Sequence, residues 1–172
     1  MKKLFLVACV LSFAASAFAE ELSVDIHAVS AEGVGAKLGS ITAKDVEGGL
    51  LLTAALKNIP AGEHGFHVHA NPNCGNTAAD GSKGAALAAG GHFDPGAKGK
   101  HLGPKADGHK GDLPLLIADN NNEINMSVTA PNLKVADIKD RAFMIHAGGD
   151  NYADEPAALG GGGARIACGV IK

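Results

Sequence analysis

Apolar and polar residues alternate with period two along several short stretches of the chain, the pattern of strands buried on one face. The cleanest is residues 22–29, where Leu22, Val24, Ile26 and Ala28 share a face. Further runs of β-type residues lie at 50–56, 64–69, 115–118, 124–130, 142–146 and 165–171, separated by turn-forming residues. They predict an all-β domain. Residues 134–140 allow about one helical turn. No repeat or linker divides the chain, whose length suits one domain with a single core. Aromatic residues make up only 4% of it, so Leu, Ile, Val and Ala must supply most of that core.

The alternation lapses between residues 70 and 113. These 44 residues contain ten glycines and three prolines, and no run within them reads as strand or helix. Structureless segments of that length are uncommon in compact domains and mark function or disorder. Something other than a packed core has to order this one. Cys74, His92, His101, His109 and Asp112 within it point to a disulfide and a metal ion.

The N-terminus reads differently. Lys2 and Lys3 precede an apolar run that begins at Leu4, and Ala17-Phe18-Ala19 closes it with small residues. This predicts a cleaved secretory signal peptide over 1–19 and a mature domain over 20–172. Leu6-Val7-Ala8-Cys9 looks like a lipoprotein box, but too little chain precedes the cysteine to complete an apolar region. No other stretch approaches the roughly 20 apolar residues of a spanning helix, so membrane insertion is not expected. Loss of Lys2 and Lys3 takes the formal charge from −3 to −5. That balance argues against nucleic acid as a partner, since phosphates require a basic surface. Two cysteines remain after cleavage, Cys74 and Cys168. An oxidising compartment favours their pairing, with two thiolate metal ligands as the alternative.

Six of the eight histidines fall where metal ligands are plausible. His67 and His69, two apart on a predicted strand, project from one face and can chelate one ion, although two surface histidines would look the same. His92, His101, His109 and Asp112 offer three imidazoles and a carboxylate, a normal zinc shell. The competing reading is a solvated, histidine-rich loop, but each residue sits in a tight glycine-containing motif. His146 ends an apolar run, where a lone histidine is more often a core residue; its weight comes from its company.

Five motifs then stand out in order: Gly65-Phe66-His67-Val68-His69, Gly91-His92-Phe93-Asp94-Pro95, Lys100-His101-Leu102-Gly103-Pro104, His109-Lys110-Gly111-Asp112-Leu113 and Ala164-Arg165-Ile166-Ala167-Cys168-Gly169-Val170. Together they resemble copper/zinc superoxide dismutase across essentially the whole mature chain. Met144-Ile145-His146-Ala147-Gly148-Gly149-Asp150-Asn151, the run from Gly160 to Gly163 and the C-terminal Gly169-Val170-Ile171-Lys172 resemble its bacterial periplasmic branch.

The resemblance implies an eight-stranded antiparallel Greek-key β-barrel, an immunoglobulin-like sandwich, with long metal-binding loops. It implies dismutation of superoxide to dioxygen and hydrogen peroxide, with one copper and one zinc ion per chain. Copper falls to His67, His69, His92 and His146. Zinc falls to His92, His101, His109 and Asp112, with His92 bridging the two and carrying a proton when copper is reduced. Arg165 corresponds to the family's anion-binding arginine, Asp150 to a carboxylate linking His67 and His101, and His64 to a position beside the copper ligands. Cys74–Cys168 corresponds to the family disulfide, whereas His27 corresponds to nothing. The implied setting is the periplasm.

The Gly160–Gly163 run is not a dinucleotide fingerprint, because G-x-G-x-x-G and its strand–turn–helix context are missing. Its expected role is to let backbone pass close to the site. The segment between His146 and Arg165 is short beside that of eukaryotic relatives, so guidance of superoxide has to come from elsewhere. Lys83, Lys98, Lys100, Lys105 and Lys110 are the candidates. The rival function is a non-catalytic copper/zinc binding or delivery protein, against which the presence of His92 and Arg165 counts. A blue-copper carrier would need a cysteine ligand with histidine and methionine close behind, and nothing after Cys168 supplies them. Sequence leaves monomer and homodimer open.

Overall fold

The computed structural model describes residues 20–172; the expected signal peptide at 1–19, with Cys9, lies outside the described residues. The described chain forms nine strands: β1 (Glu21–Ser30), β2 (Gly33–Val46), β3 (Gly49–Lys57), β4 (Gly62–His64), β5 (Phe66–His69), β6 (Leu116–Ala118), β7 (Glu123–Ala130), β8 (Arg141–His146) and β9 (Arg165–Ile171). Its one short α-helix, α1 (Val135–Ile138), falls inside the expected 134–140 segment, and 3-10 turns lie at Leu87–Ala89 and Ala158–Gly161. Among the described residues no helix is long and apolar enough to cross a membrane.

The main sheet runs β5-β8-β9-β1-β2-β3-β7, every pair antiparallel, and β4 pairs with β6 in a second, small sheet. These two pieces make one curled surface. The turn joining β6 to β7 is closed by Asp119 N donating to Glu123 O at 2.9 Å, and β4 runs into β5 through the single residue Gly65. Counting β4 and β5 as one bent strand gives the expected eight. Gly65 makes the bend by bonding sideways: its N–H donates to Gly148 O at 2.7 Å, and its carbonyl accepts from His146 N at 2.9 Å.

Inside the curl, alternation does what it predicts. Leu50, Leu52, Ala54 and Leu56 of β3 are buried while Thr53, Ala55 and Lys57 face out. Opposite them Ile26, Ile41, Ile124 and Ile145 are fully buried, with the Phe66 and Phe143 rings 5.4 Å apart. Burying each such side chain contributes about 1.5–3 kcal/mol, and a Leu52→Ala cavity would cost about 2–5 kcal/mol.

β2 is the strand that the alternation did not reveal. It carries Gly33, Gly35 and Gly39, and its register with β1 slips on either side of His27. Gly39 has φ +146° and lies against the Ala55 carbonyl too closely for any Cβ. A bulged strand loses its period, and the sequence signal goes with it.

Candidate metal centre

β5 is buried at all four positions and pairs with β8. That pairing brings His67 and His69 beside His146 at the end of β8. Each ring has one nitrogen committed to an acceptor. His67 Nε2 meets Asp150 Oδ2 at 2.8 Å, His69 Nδ1 meets Gly90 O at 2.8 Å, and His146 Nδ1 meets Gly163 O at 3.0 Å. Carbonyls and carboxylates only accept, so these nitrogens carry the protons. The remaining nitrogens, His67 Nδ1, His69 Nε2 and His146 Nε2, are buried without a partner, as is His92 Nε2. These four residues each bring one nitrogen to within 4.8 Å of the others. Unpartnered buried polar atoms cost about 1–3 kcal/mol each, so four converging bare nitrogens describe a cation site.

The other candidate ligands lie in the expected loop. It is laced to β5 by backbone: Phe93 N donates to Val68 O, Val68 N to Gly111 O and Gly111 N to Phe93 O, all at 2.8 Å. Gly111 has to be glycine because a Cβ would meet Phe93 N at 2.8 Å and overlap the Val68 carbonyl. The lacing presents Asp112 between three rings. His92 Nδ1 lies 2.9 Å from its Oδ1, His101 Nδ1 3.0 Å from its Oδ2, and His109 Nδ1 3.5 Å from Oδ1. His67, His92, His101 and Asp112 also gather within 4.8 Å, a set that includes His67 in place of the expected His109. The commitments of the rings argue for His109. His67 Nε2 is held by Asp150, leaving only the Nδ1 that belongs to the first group, whereas His109 Nδ1 is buried and has no partner.

Asp150 joins the two halves. Its Oδ2 accepts from His67, and its Oδ1 accepts from His101 Nε2 at 2.7 Å and from Tyr152 N at 2.8 Å. The glycine run does let backbone approach. A Cβ on Gly160 would stand 2.6 Å from Asp150 Cγ and 2.8 Å from His101 Nε2, and one on Gly162 would stand 3.0 Å from His146 Cβ. His64 is buried behind the site with both ring nitrogens on carbonyls, His146 O and Pro60 O, each at 2.7 Å. Both nitrogens thus face main-chain oxygens rather than the metal cluster, and the contact with His146 O bears on the position of His146.

Electrostatics sort the rings. Burial lowers His67 to about 3, against the pull of Asp150, and His146 to about 4. Burial likewise lowers His69 and His92. Neutral imidazoles keep the lone pairs that metals need. For His101 burial also acts downward, but Asp112 and Asp150 outweigh it and raise the ring to about 9. Burial works the other way on those two carboxyls, yet their histidine partners hold both well below the usual range.

Arg165, half-buried at the start of β9, donates Nη1 to Ala86 O and Nη2 to Gly90 O, both at 2.7 Å. The expected disulfide is present: Cys74 and Cys168 are bonded with Cα atoms 5.8 Å apart, which pins the loop to β9. Of the five lysines, Lys98 pairs with Asp107 at 2.7 Å and Lys110 with Asp137 at 2.6 Å. Lys83, Lys100 and Lys105 are exposed and form no ion pair among the described residues. His27 sits across from Cys168 in the β1–β9 pair, away from both clusters. Asp154, whose Oδ2 accepts from His101 N at 3.0 Å, was missed, for an acidic residue in a loop has no distinguishing pattern.

Residues 38–171 match the family model described as copper/zinc superoxide dismutase (SODC). The chain is similar to Cu-Zn superoxide dismutase 2 of Salmonella typhimurium, 51% identical over 173 residues with 100% of both chains covered. It is 47% identical to Cu-Zn superoxide dismutase of Brucella abortus at the same coverage. Among solved structures, Cu/Zn superoxide dismutase from Brucella abortus superposes with a TM-score of 0.86 at 47% identity, covering 89% of this chain and 100% of that one. The monomeric copper, zinc superoxide dismutase from Salmonella enterica gives 0.79 at 51% identity, with 89% and 100% covered.

Proposed function

The chain belongs to the copper/zinc superoxide dismutase family, and from that premise we propose that His67, His69, His92 and His146 hold its copper while His92, His101, His109 and Asp112 hold its zinc. Its reaction is the dismutation of superoxide to dioxygen and hydrogen peroxide. When bound, copper supplies the one-electron redox chemistry and zinc supplies fixed positive charge and structure. A non-catalytic metal carrier is not favoured.

The observation that supports this division is the complementary use of ring nitrogens. His67, His69 and His146 each spend one nitrogen on a protein acceptor and keep the other bare. His92 alone points one nitrogen, Nε2, at that group and the other, Nδ1, at Asp112. A ring shared in this way suits an imidazolate bridge, since two cations favour its deprotonation. With the metals bound, His92 Nε2 would hold and release one of the two protons consumed as superoxide is reduced to hydrogen peroxide. Asp150 fixes the ring orientation of one ligand on each side. Arg165 captures the anion. Two of its five N–H groups are used on carbonyls, which leaves an N–H on each Nη to donate to a small anion.

The same reading takes residues 1–19 as a cleaved export signal and 20–172 as the mature domain, acting in the periplasm. The N-terminal residue of protein released by osmotic shock tests it, and a start other than Glu20 would revise the cleavage site. It also extends to this chain the monomeric state of the Salmonella enterica relative, which sedimentation equilibrium tests.

Elemental analysis of metal-loaded variants tests the ligand division. Wild type should carry one copper and one zinc per chain. His146→Ala should lose copper and keep zinc, and His109→Ala should do the reverse. Zinc held at full stoichiometry by His109→Ala would remove His109 from the zinc set.

A further inference from the structure

We propose that Asp154 is a positioning residue for the zinc half of the site, clasping the backbone of His101 and the glycine turn over its ring with one carboxylate. The proposal rests on the assignment of His101 as a zinc ligand. Asp154 lies between β8 and β9, 53 residues from His101 in sequence. Its Oδ2 accepts from His101 N at 3.0 Å and its Oδ1 from Leu159 N at 3.3 Å. Leu159 directly precedes Gly160, whose missing Cβ lets the chain lie over the Asp150–His101 hydrogen bond. Gly160 N is held in turn by Ala153 O at 2.9 Å, the residue next to Asp154.

His101 is thus gripped at two points from one segment. Asp150 holds the ring at Nε2, and Asp154 holds the main chain. Leu102 N and Gly103 N, on one side of His101, are held by Asp112 Oδ2 at 3.2 and 3.3 Å, but the N–H of His101 itself is held by Asp154, and without that bond the peptide before the ring could turn and re-aim Nδ1. With both, the direction of Nδ1 toward Asp112 is set. Asp154 touches no proposed ligand atom, and its effect passes through His101.

The test is equilibrium zinc binding by the disulfide-bonded, metal-free protein in competition with a chelator, with cobalt(II) as a spectroscopic probe of the same position. Asp154→Ala should weaken zinc binding about tenfold, the lower end of what supporting partners of metal ligands contribute. It should also alter the cobalt d–d bands while the copper(II) absorption stays that of wild type. Asp154→Asn, which keeps one acceptor oxygen for His101 N and turns N–H groups toward Leu159 N, should recover only part of the affinity. Unchanged zinc affinity and cobalt bands in Asp154→Ala, with zinc lost in His101→Ala, would overturn the clasp and leave the ligand assignment standing. Zinc retained by His101→Ala would overturn the assignment, and the clasp with it.

Discussion

Arg165 and His69 donate to the same oxygen, the carbonyl of Gly90, Nη2 from 2.7 Å and Nδ1 from 2.8 Å. One peptide therefore sets both the guanidinium and the tautomer of a ring in the first cluster. The group that would receive the anion and a group that would hold copper cannot drift independently.

That coupling makes Arg165 the residue to test for capture. Superoxide is an anion and the chain from residue 20 onward carries −5, so the mean field repels it. Local positive groups in a cleft can still raise on-rates ~10–10³-fold. Arg165→Ala should keep both metals and reduce superoxide consumption about tenfold, with Arg165→Glu lower still. The wild-type rate should fall as the Debye length shrinks from ~30 Å at 0.01 M salt to ~10 Å at 0.1 M. Stopped flow or pulse radiolysis on metal-matched proteins measures both. Equal rates for Arg165→Glu and wild type at low salt would remove Arg165 from capture.

Asp150→Asn should release zinc ~10–100-fold more readily while the fold persists. Both carboxylate oxygens of Asp150 accept from ring nitrogens, whereas an amide offers one acceptor and turns N–H groups toward the other ring. Chelator competition reads the change. An unchanged zinc affinity would reduce Asp150 to a purely structural role.

Gly160→Ala should be harmful for two separable reasons. The residue has φ +74°, where an L side chain costs about 1–2 kcal/mol, and its Cβ would press on Asp150 and His101. The first effect lowers the melting temperature of metal-free protein. The second lowers zinc retention beyond that. Wild-type retention in a merely less stable variant would mean the segment yields without disturbing His101.

Intact mass of protein spanning residues 20–172, before and after alkylation, should detect no free thiol, because Cys74 and Cys168 are bonded across a separation of 94 residues. Closing a loop of that size stabilises by up to ~4–5 kcal/mol in the chain-entropy model. Reduction should lower the melting temperature and weaken zinc retention together, since the bond anchors the loop that carries His92, His101 and His109. Alkylation of both cysteines in unreduced protein would contradict the bond.

The strands that alternate cleanly, β1 and β7 above all, were legible because one face of each is core and the other is water. β2 was not legible, since glycines and register slips erase its period. Residues 64–69 read as one run, and only the structure reveals that Gly65 bends it between two sheets. The candidate ligands were legible because imidazoles and carboxylates announce their chemistry by type. Beyond Asp150 and His64, their supports were not. Gly90 O, Gly163 O and Pro60 O belong to the main chain and leave no mark on residue identity, and Asp154 looks like any loop aspartate until His101 N is found against it.

The pairing of β5 with β8 also orders events in time. Between them in sequence lie the long loop, β6, β7 and α1, so their meeting closes a long stretch of chain, a contact disfavoured early in folding by loop entropy. The four nitrogens of His67, His69, His92 and His146 do not exist as a set until the ring of strands is nearly shut. His92, His101, His109 and Asp112 are neighbours along one loop and need no such closure. On the proposed ligand division, a half-made chain would therefore hold most of its zinc ligands close together before its copper ligands meet.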